Sequence, residues 1–187
     1  SATAYVTLQE NNAVAIVDLQ AMTVTQLVAL GYKDHSVRGA GLDASDRDDL
    51  INIATWPVMG MYMPDAIASF EADGATYLIT ANEGDARSED ERIKNLMLDT
   101  SVFTTALQAD EQLGRLEVST IDGDADGDGE YEALYSYGAR SFTIWDASGE
   151  IVFDSGDQIE QITAALWPEG FNSNGNYTAP EFDTRSD

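Results

Sequence analysis

The chain has 187 residues, 43% of them apolar, enough for the core of one ordinary domain and too few for two large ones. Nine Lys plus Arg against 34 Asp plus Glu give a formal charge of −25 at neutral pH, a sign that repels nucleic acid and anionic membrane surfaces. The chain has no cysteine, which excludes disulfides, thiolate zinc sites and cysteine nucleophiles, so stability must come from packing or from bound ions.

No apolar run approaches the ~20 residues of a membrane span, so this segment is not expected to insert into a bilayer. Such strong acidity suits a secreted, periplasmic or cell-surface protein, where dissolved ions screen self-repulsion.

From Thr3 to Leu30 the apolar pattern has period two, broken by turns at Gln9-Glu10-Asn11-Asn12 and near Gln20-Ala21, which predicts three antiparallel strands. Gly31 to Met63 is a long excursion carrying Gly31, Gly39, Gly41, Pro57 and Gly60, longer than loops usually are without a function. A hairpin is predicted over Ala66 to Glu71 and Ala75 to Ala81, because Asp73-Gly74 between them supplies the positive φ that tight turns need. Ser88-Glu89-Asp90-Glu91 has capping-box spacing before Ile93, Leu96 and Met97 and predicts a short helix. Further strands are expected at Leu116 to Ile121, Ala133 to Tyr137, Ser141 to Trp145 and Glu150 to Asp154. Ile159, Ile162 and Leu166 stand at helical spacing after Asp157, and residues 168–187, rich in Asn, Gly and acids, read as an irregular C-terminal connector.

These elements define an all-β fold: antiparallel meander blades of a β-propeller, with long loop excursions and one or two short helices. A closed propeller needs at least four blades of about 40 residues each, so a single domain over 1–187 is expected to be part of a longer one. A small sandwich is the alternative. An isolated piece would expose sheet edges, which makes the remaining blades or a second copy of the chain expected partners.

The strongest chemical signal is Asp122-Gly123-Asp124-Ala125-Asp126-Gly127-Asp128-Gly129-Glu130-Tyr131-Glu132. Asp124, Asp126 and Asp128 take positions 1, 3 and 5 of a calcium loop, with Gly129 at the turn and Glu132 at position 9. Tyr135 stands where an EF-hand needs Glu, and the flanks read as strands, so the motif is a strand-loop-strand calcium loop. A neighbouring frame starts at Asp122, and a solvated acidic turn is the bland alternative. His35, the only histidine, lies in Lys33-Asp34-His35-Ser36, where it could ligate a metal, move a proton or simply be exposed in an acidic loop. Asn82, Glu83, Asp85 and Arg87 gather where a strand ends, and Asp65 precedes the hairpin at the expected opposite end of that strand.

Tyr5 to Asp18, Lys33-Asp34-His35-Ser36, Gly41-Leu42-Asp43-Ala44-Ser45-Asp46, Pro64-Asp65-Ala66-Ile67-Ala68, Ala81-Asn82-Glu83-Gly84-Asp85-Ala86-Arg87 and Arg140 to Asp146 occur in an order that resembles the choice-of-anchor I domain. That resemblance covers nearly the whole chain. It implies a secreted bacterial β-propeller, often labelled alkaline phosphatase or phytase-like, of which this chain would be the N-terminal part. It also implies a metal-dependent phosphoesterase with a phosphoester substrate. Asp65, Glu83 and Asp85 would then hold a second divalent metal or position water, His35 would carry a proton and Arg87 would contact phosphate. The competing implication is a non-catalytic, calcium-stabilised cell-surface or adhesion module.

Overall fold

The computed structural model describes residues 2–45, 47–48 and 50–172. Strands β1 (Thr3–Leu8), β2 (Ala13–Asp18) and β3 (Thr23–Ala29) form the expected antiparallel meander. A second sheet has the order β14-β13-β9-β8, built from β8 (Ala66–Ala72), β9 (Ala75–Asn82), β13 (Ser141–Asp146) and β14 (Ile151–Asp154), antiparallel throughout. Asp73 and Gly74 close its first hairpin at φ 50° and 78°, the left-handed pair that a two-residue turn requires.

The two sheets stack face to face over Val14, Leu30, Tyr62, Leu78, Ala139 and Trp145. Alternation along β9 and β13 buries one row of side chains against this core and turns the next row away. Polar members of the buried row are satisfied by one another. Trp145 Nε1 donates to Thr80 Oγ1 (2.9 Å), Thr80 Oγ1 to Asn82 Oδ1 (2.8 Å), and Asn82 Nδ2 to Thr143 Oγ1 (2.7 Å) and Ser141 Oγ (3.0 Å). Both of those hydroxyls donate to Asp154. A buried network this complete avoids the desolvation cost of unpaired polar atoms.

Residues 31–63 are not an unstructured excursion. They contain β4 (Tyr32–Asp34), β5 (Leu42–Asp43), β6 (Ile53–Ala54) and β7 (Met59–Met61). Together with β10 (Asp90–Arg92), β11 (Glu117–Ser119) and β12 (Tyr135–Ser136), strands β4 and β7 make a five-stranded sheet of order β10-β11-β12-β7-β4. Strand β12 pairs with β7 in parallel, the one departure from the antiparallel expectation among the strand pairs of the described residues. A second core, including Leu42, Val58, Ile93, Leu113, Val118 and Leu134, packs against this region.

The helix expected from Ser88 is overturned. Asp90–Arg92 pairs with Glu117–Ser119, and only a 3-10 turn, Ile93–Asn95, follows. The capping-box spacing is present, but long-range ladder bonds outweigh a local propensity worth fractions of a kcal/mol. The other expected helix forms as α1 (Gln158–Leu166). Among the described residues the sheets close into neither a barrel nor a ring. The expected connector lies mostly outside the described residues, its described part being a 3-10 turn at Pro168–Gly170 followed by Phe171 and Asn172.

Candidate metal centre

The acidic loop connects β11 to β12 and is built by its own carboxylates. Asp124 Oδ1 accepts from Gly127 N (2.7 Å) and its Oδ2 from Gly129 N (3.0 Å), while Asp126 and Asp128 accept from Asp128 N and Glu130 N. Glu132 Oε2 reaches back to accept from Ala125 N (2.7 Å). Gly123 closes the base of the loop, its carbonyl accepting from Glu132 N (2.9 Å) and Ala133 N (3.1 Å). Tyr131 staples the loop down, donating its hydroxyl to Thr120 O and its amide to Met97 O.

The result is that one ligand atom each from Asp124, Asp126, Asp128 and Glu132 lies within 4.8 Å of all the others. Hard oxygen donors at that spacing suit a calcium ion, which takes six to eight oxygens at about 2.3–2.6 Å. Without a cation the carboxylates repel one another, only partly offset by the amides.

Asp122 does not join them. Its Oδ2 accepts from Ser119 Oγ (2.7 Å) and lies 3.6 Å from Arg87 Nη2. Of the two frames open in the sequence, the geometry assembles the one that begins at Asp124.

The other expected site residues are not brought into one cluster. Glu83 and Asp85 are exposed, flanking a buried Gly84 whose Cβ, if present, would stand 2.3 Å from Gly138. Asp65 is exposed too, and its position is a correction. Antiparallel pairing of Ala66 with Ala81 places it at the same end of the hairpin as Asn82 and Glu83, not the opposite end. Asn82 points inward to the polar network rather than outward. Arg87 is half-buried, over the Tyr137 ring at 5.5 Å and paired to Asp122.

His35 is neither exposed nor beside those acids. It is 1% exposed, its Nδ1–H donates to Ala40 O (2.7 Å), and Gly60 packs so close that a Cβ there would lie 2.6 Å from Nε2. Burial, with Lys33 and Arg140 nearby, pulls its pKa down to about 4.

Sequence reasoning missed the charges around it. Lys33 is buried, donating to Ala139 O (2.8 Å) and Gly156 O (2.7 Å), with Asp154 at 3.7 Å. Desolvation lowers its pKa. Glu160 meets Arg140 at 2.6 Å and accepts from Asp43 N (2.8 Å). Desolvation raises the pKa of Glu160 and of Asp43. The available signal was that Lys33, Asp43 and Arg140 all fall in the segments that carry the family resemblance. Asp46, from one of those segments, lies outside the described residues.

A family model, the choice-of-anchor I domain, matches residues 1–187. The chain belongs to the choice-of-anchor I domain family. Its curated relatives include Gigasin-3a of Magallana gigas, 37% identical over 81 residues, which is 43% of this chain and 28% of that protein. A mesenchyme-specific cell surface glycoprotein of Strongylocentrotus purpuratus is 30% identical over 179 residues, covering 78% of this chain and 23% of that protein. This choice-of-anchor I chain thus spans about a quarter of the length of the curated relatives it matches. No solved structure matches it.

Proposed function

We propose that this choice-of-anchor I chain is a calcium-stabilised module of an extracellular or cell-surface protein. The observation that carries the reading is the convergence of Asp124, Asp126, Asp128 and Glu132 in a loop that joins two strands of one sheet. An ion there fixes the connection between β11 and β12 and so the packing of the second core. The cell-surface name of the sea-urchin relative and the charge of −25 support a location where calcium is abundant. Among the described residues no helix is long and apolar enough to cross a membrane.

The phosphoesterase reading has less support. It needs His35, Asp65, Glu83, Asp85 and Arg87 around one substrate, whereas His35 is buried, Arg87 is engaged by Asp122 and Tyr137, and the acids hold no shared cluster with it among the described residues. The propeller architecture is supported by one sheet-to-sheet step, the stacking of the β1-β2-β3 sheet on the β14-β13-β9-β8 sheet.

Thermal denaturation with calcium and with a chelator tests the calcium reading. Ligand binding to the folded state alone stabilises by about 2.7 kcal/mol at a hundredfold excess over Kd, so the melting temperature should rise by several degrees. A melting temperature unchanged across millimolar calcium overturns the proposal.

A further inference from the structure

Lys33 on β4 is 5% exposed, and the metal centre gives this buried amine no part. Its Nζ has three neighbours: Ala139 O at 2.8 Å, Gly156 O at 2.7 Å and Asp154 Oδ1 at 3.7 Å. An ammonium group has three N–H donors and no lone pair. Once one proton passes to the carboxylate, two N–H groups remain for the two carbonyls, and the lone pair is left for the third neighbour, Asp154. Desolvation favours that uncharged form, since it lowers the pKa of Lys33.

The two oxygens of Asp154 are held differently. Oδ2 accepts from the hydroxyls of Ser141 (2.9 Å) and Thr143 (2.5 Å), a pair of donors placed to hold a developing oxyanion. Oδ1 accepts from Gly156 N (2.8 Å) and is the oxygen that meets Lys33 Nζ.

We propose that Lys33 and Asp154 condense to an internal amide that ties β4 to the end of β14. Nζ gives one proton to Oδ1, and its freed lone pair attacks Cγ. The Nζ–Cγ bond forms while negative charge gathers on Oδ2 between the two hydroxyls. As that charge returns, the Cγ–Oδ1 bond breaks, a second proton passes from Nζ to Oδ1, and Oδ1 leaves as water. The third proton stays as the amide N–H, with Ala139 O and Gly156 O beside it as acceptors. One ammonium and one carboxylate become one amide and one water, and no other reactant is needed.

The fold supplies what free groups in water lack. Two groups fixed side by side react at effective concentrations of about 10⁵–10⁸ M. The product removes two charges from an interior where their desolvation is costly. Asp154 is 18% exposed, which gives the released water an exit. The bridge also joins end strands of two different sheets, in a chain with no cysteine to fasten them. A link between residues so remote in sequence restricts the unfolded chain as a disulfide does.

Intact-mass spectrometry of the denatured chain reads the bond directly. The chain should be lighter than its sequence mass by one water, with calcium or with chelator, so the result is independent of the metal centre. Trypsin should fail to cleave after Lys33 and should release the peptide ending at Arg38 joined to the peptide beginning at Ser141. Lys33→Arg, which keeps the charge but not the amine, should have its full mass. If that variant does not fold, the digest of the wild-type chain still decides. A wild-type chain at full sequence mass overturns the proposal and leaves an ordinary ion pair. A lost water confined to one peptide, as a cyclic imide at Asp73-Gly74 would give, overturns it too.

Discussion

Arg140 and Glu160 meet with Nε 2.6 Å from Oε1, and Glu160 is the only buried residue of α1. The helix is thereby inverted. Ile159, Ile162 and Leu166, which give it helical periodicity, are 42%, 54% and 80% exposed, and the helix is anchored by a charge reaching Arg140 and the amide of Asp43. Removing one partner of a buried pair leaves the other uncompensated, at about 3–5 kcal/mol. Glu160→Ala should therefore lower the urea midpoint strongly. Ile162→Ala, at an exposed position, should change stability by no more than about 0.5 kcal/mol. Equal effects from the two substitutions would show that the helix is held by its apolar stripe.

Burial of His35 makes stability fall with acidification. Its folded pKa is about 4 against an ordinary 6.5, chiefly through burial. Between those values the unfolded chain binds more protons than the folded one, so the contribution is complete above pH 6.5 and is lost as pH falls toward 4. Its full size is of order 3 kcal/mol. Glu160 and Asp43 act in the opposite sense, because burial raises both and acidification relieves that cost. His35→Gln should remove the histidine part alone. Between pH 7 and 4.5 the variant should lose less stability than the parent, measured by urea denaturation at each pH, and matching losses would count against this role.

How much of this was legible in the sequence depends on how local the cause is. The Ala66–Asn82 hairpin could be read because Asp73-Gly74 fixes its turn, and α1 because its spacing is unbroken. The strand at Asp90–Arg92 could not, since its partner Glu117–Ser119 is remote in the chain and a capping-box pattern competes with it. The acidic loop was legible because carboxylates alternating with small residues need no distant partner. Its frame was not, because Asp122 is drawn away by Arg87 from another segment. The burial of His35 was not legible, since its neighbours in sequence are polar and the groups that bury it, Gly60 and Ala40 among them, come together only in the fold.

Two glycines of the acidic loop should respond unequally to alanine. Gly123 has φ 107°, and a Cβ there would stand 2.2 Å from Ala133 O. Its backbone also closes the loop through Glu132 N. Gly127 has φ 79° with nothing within 4 Å of the added carbon, so Gly127→Ala carries only the left-handed penalty of about 1–2 kcal/mol. Gly123→Ala should cost more than that and weaken calcium binding as well, because Glu132 would be displaced. Calorimetric titration alongside melting separates the two effects, and identical behaviour would mean that Gly123 does not organise the loop.

The frame of the metal centre makes the sharpest distinction between neighbouring carboxylates. Asp124 sits within the four-carboxylate cluster and also accepts two loop amides, while Asp122 bonds Ser119 and Arg87 outside it. Asp124→Asn with Asp126→Asn removes two negative charges from the donor set and should abolish calcium binding while reproducing the effect of a chelator on the melting temperature. Asp122→Asn should leave the affinity within a few-fold, because its carboxylate is not a donor, and should instead free Arg87 from the loop. The half-buried pair it breaks is worth about 1 kcal/mol, so its melting temperature in chelator should fall by only a few degrees. Glu10→Gln, on the first turn and far from the loop, should alter neither quantity. If Asp122→Asn lowers calcium affinity as much as the Asp124 and Asp126 pair does, the ion uses the frame beginning at Asp122, and binding must then break the contact with Arg87.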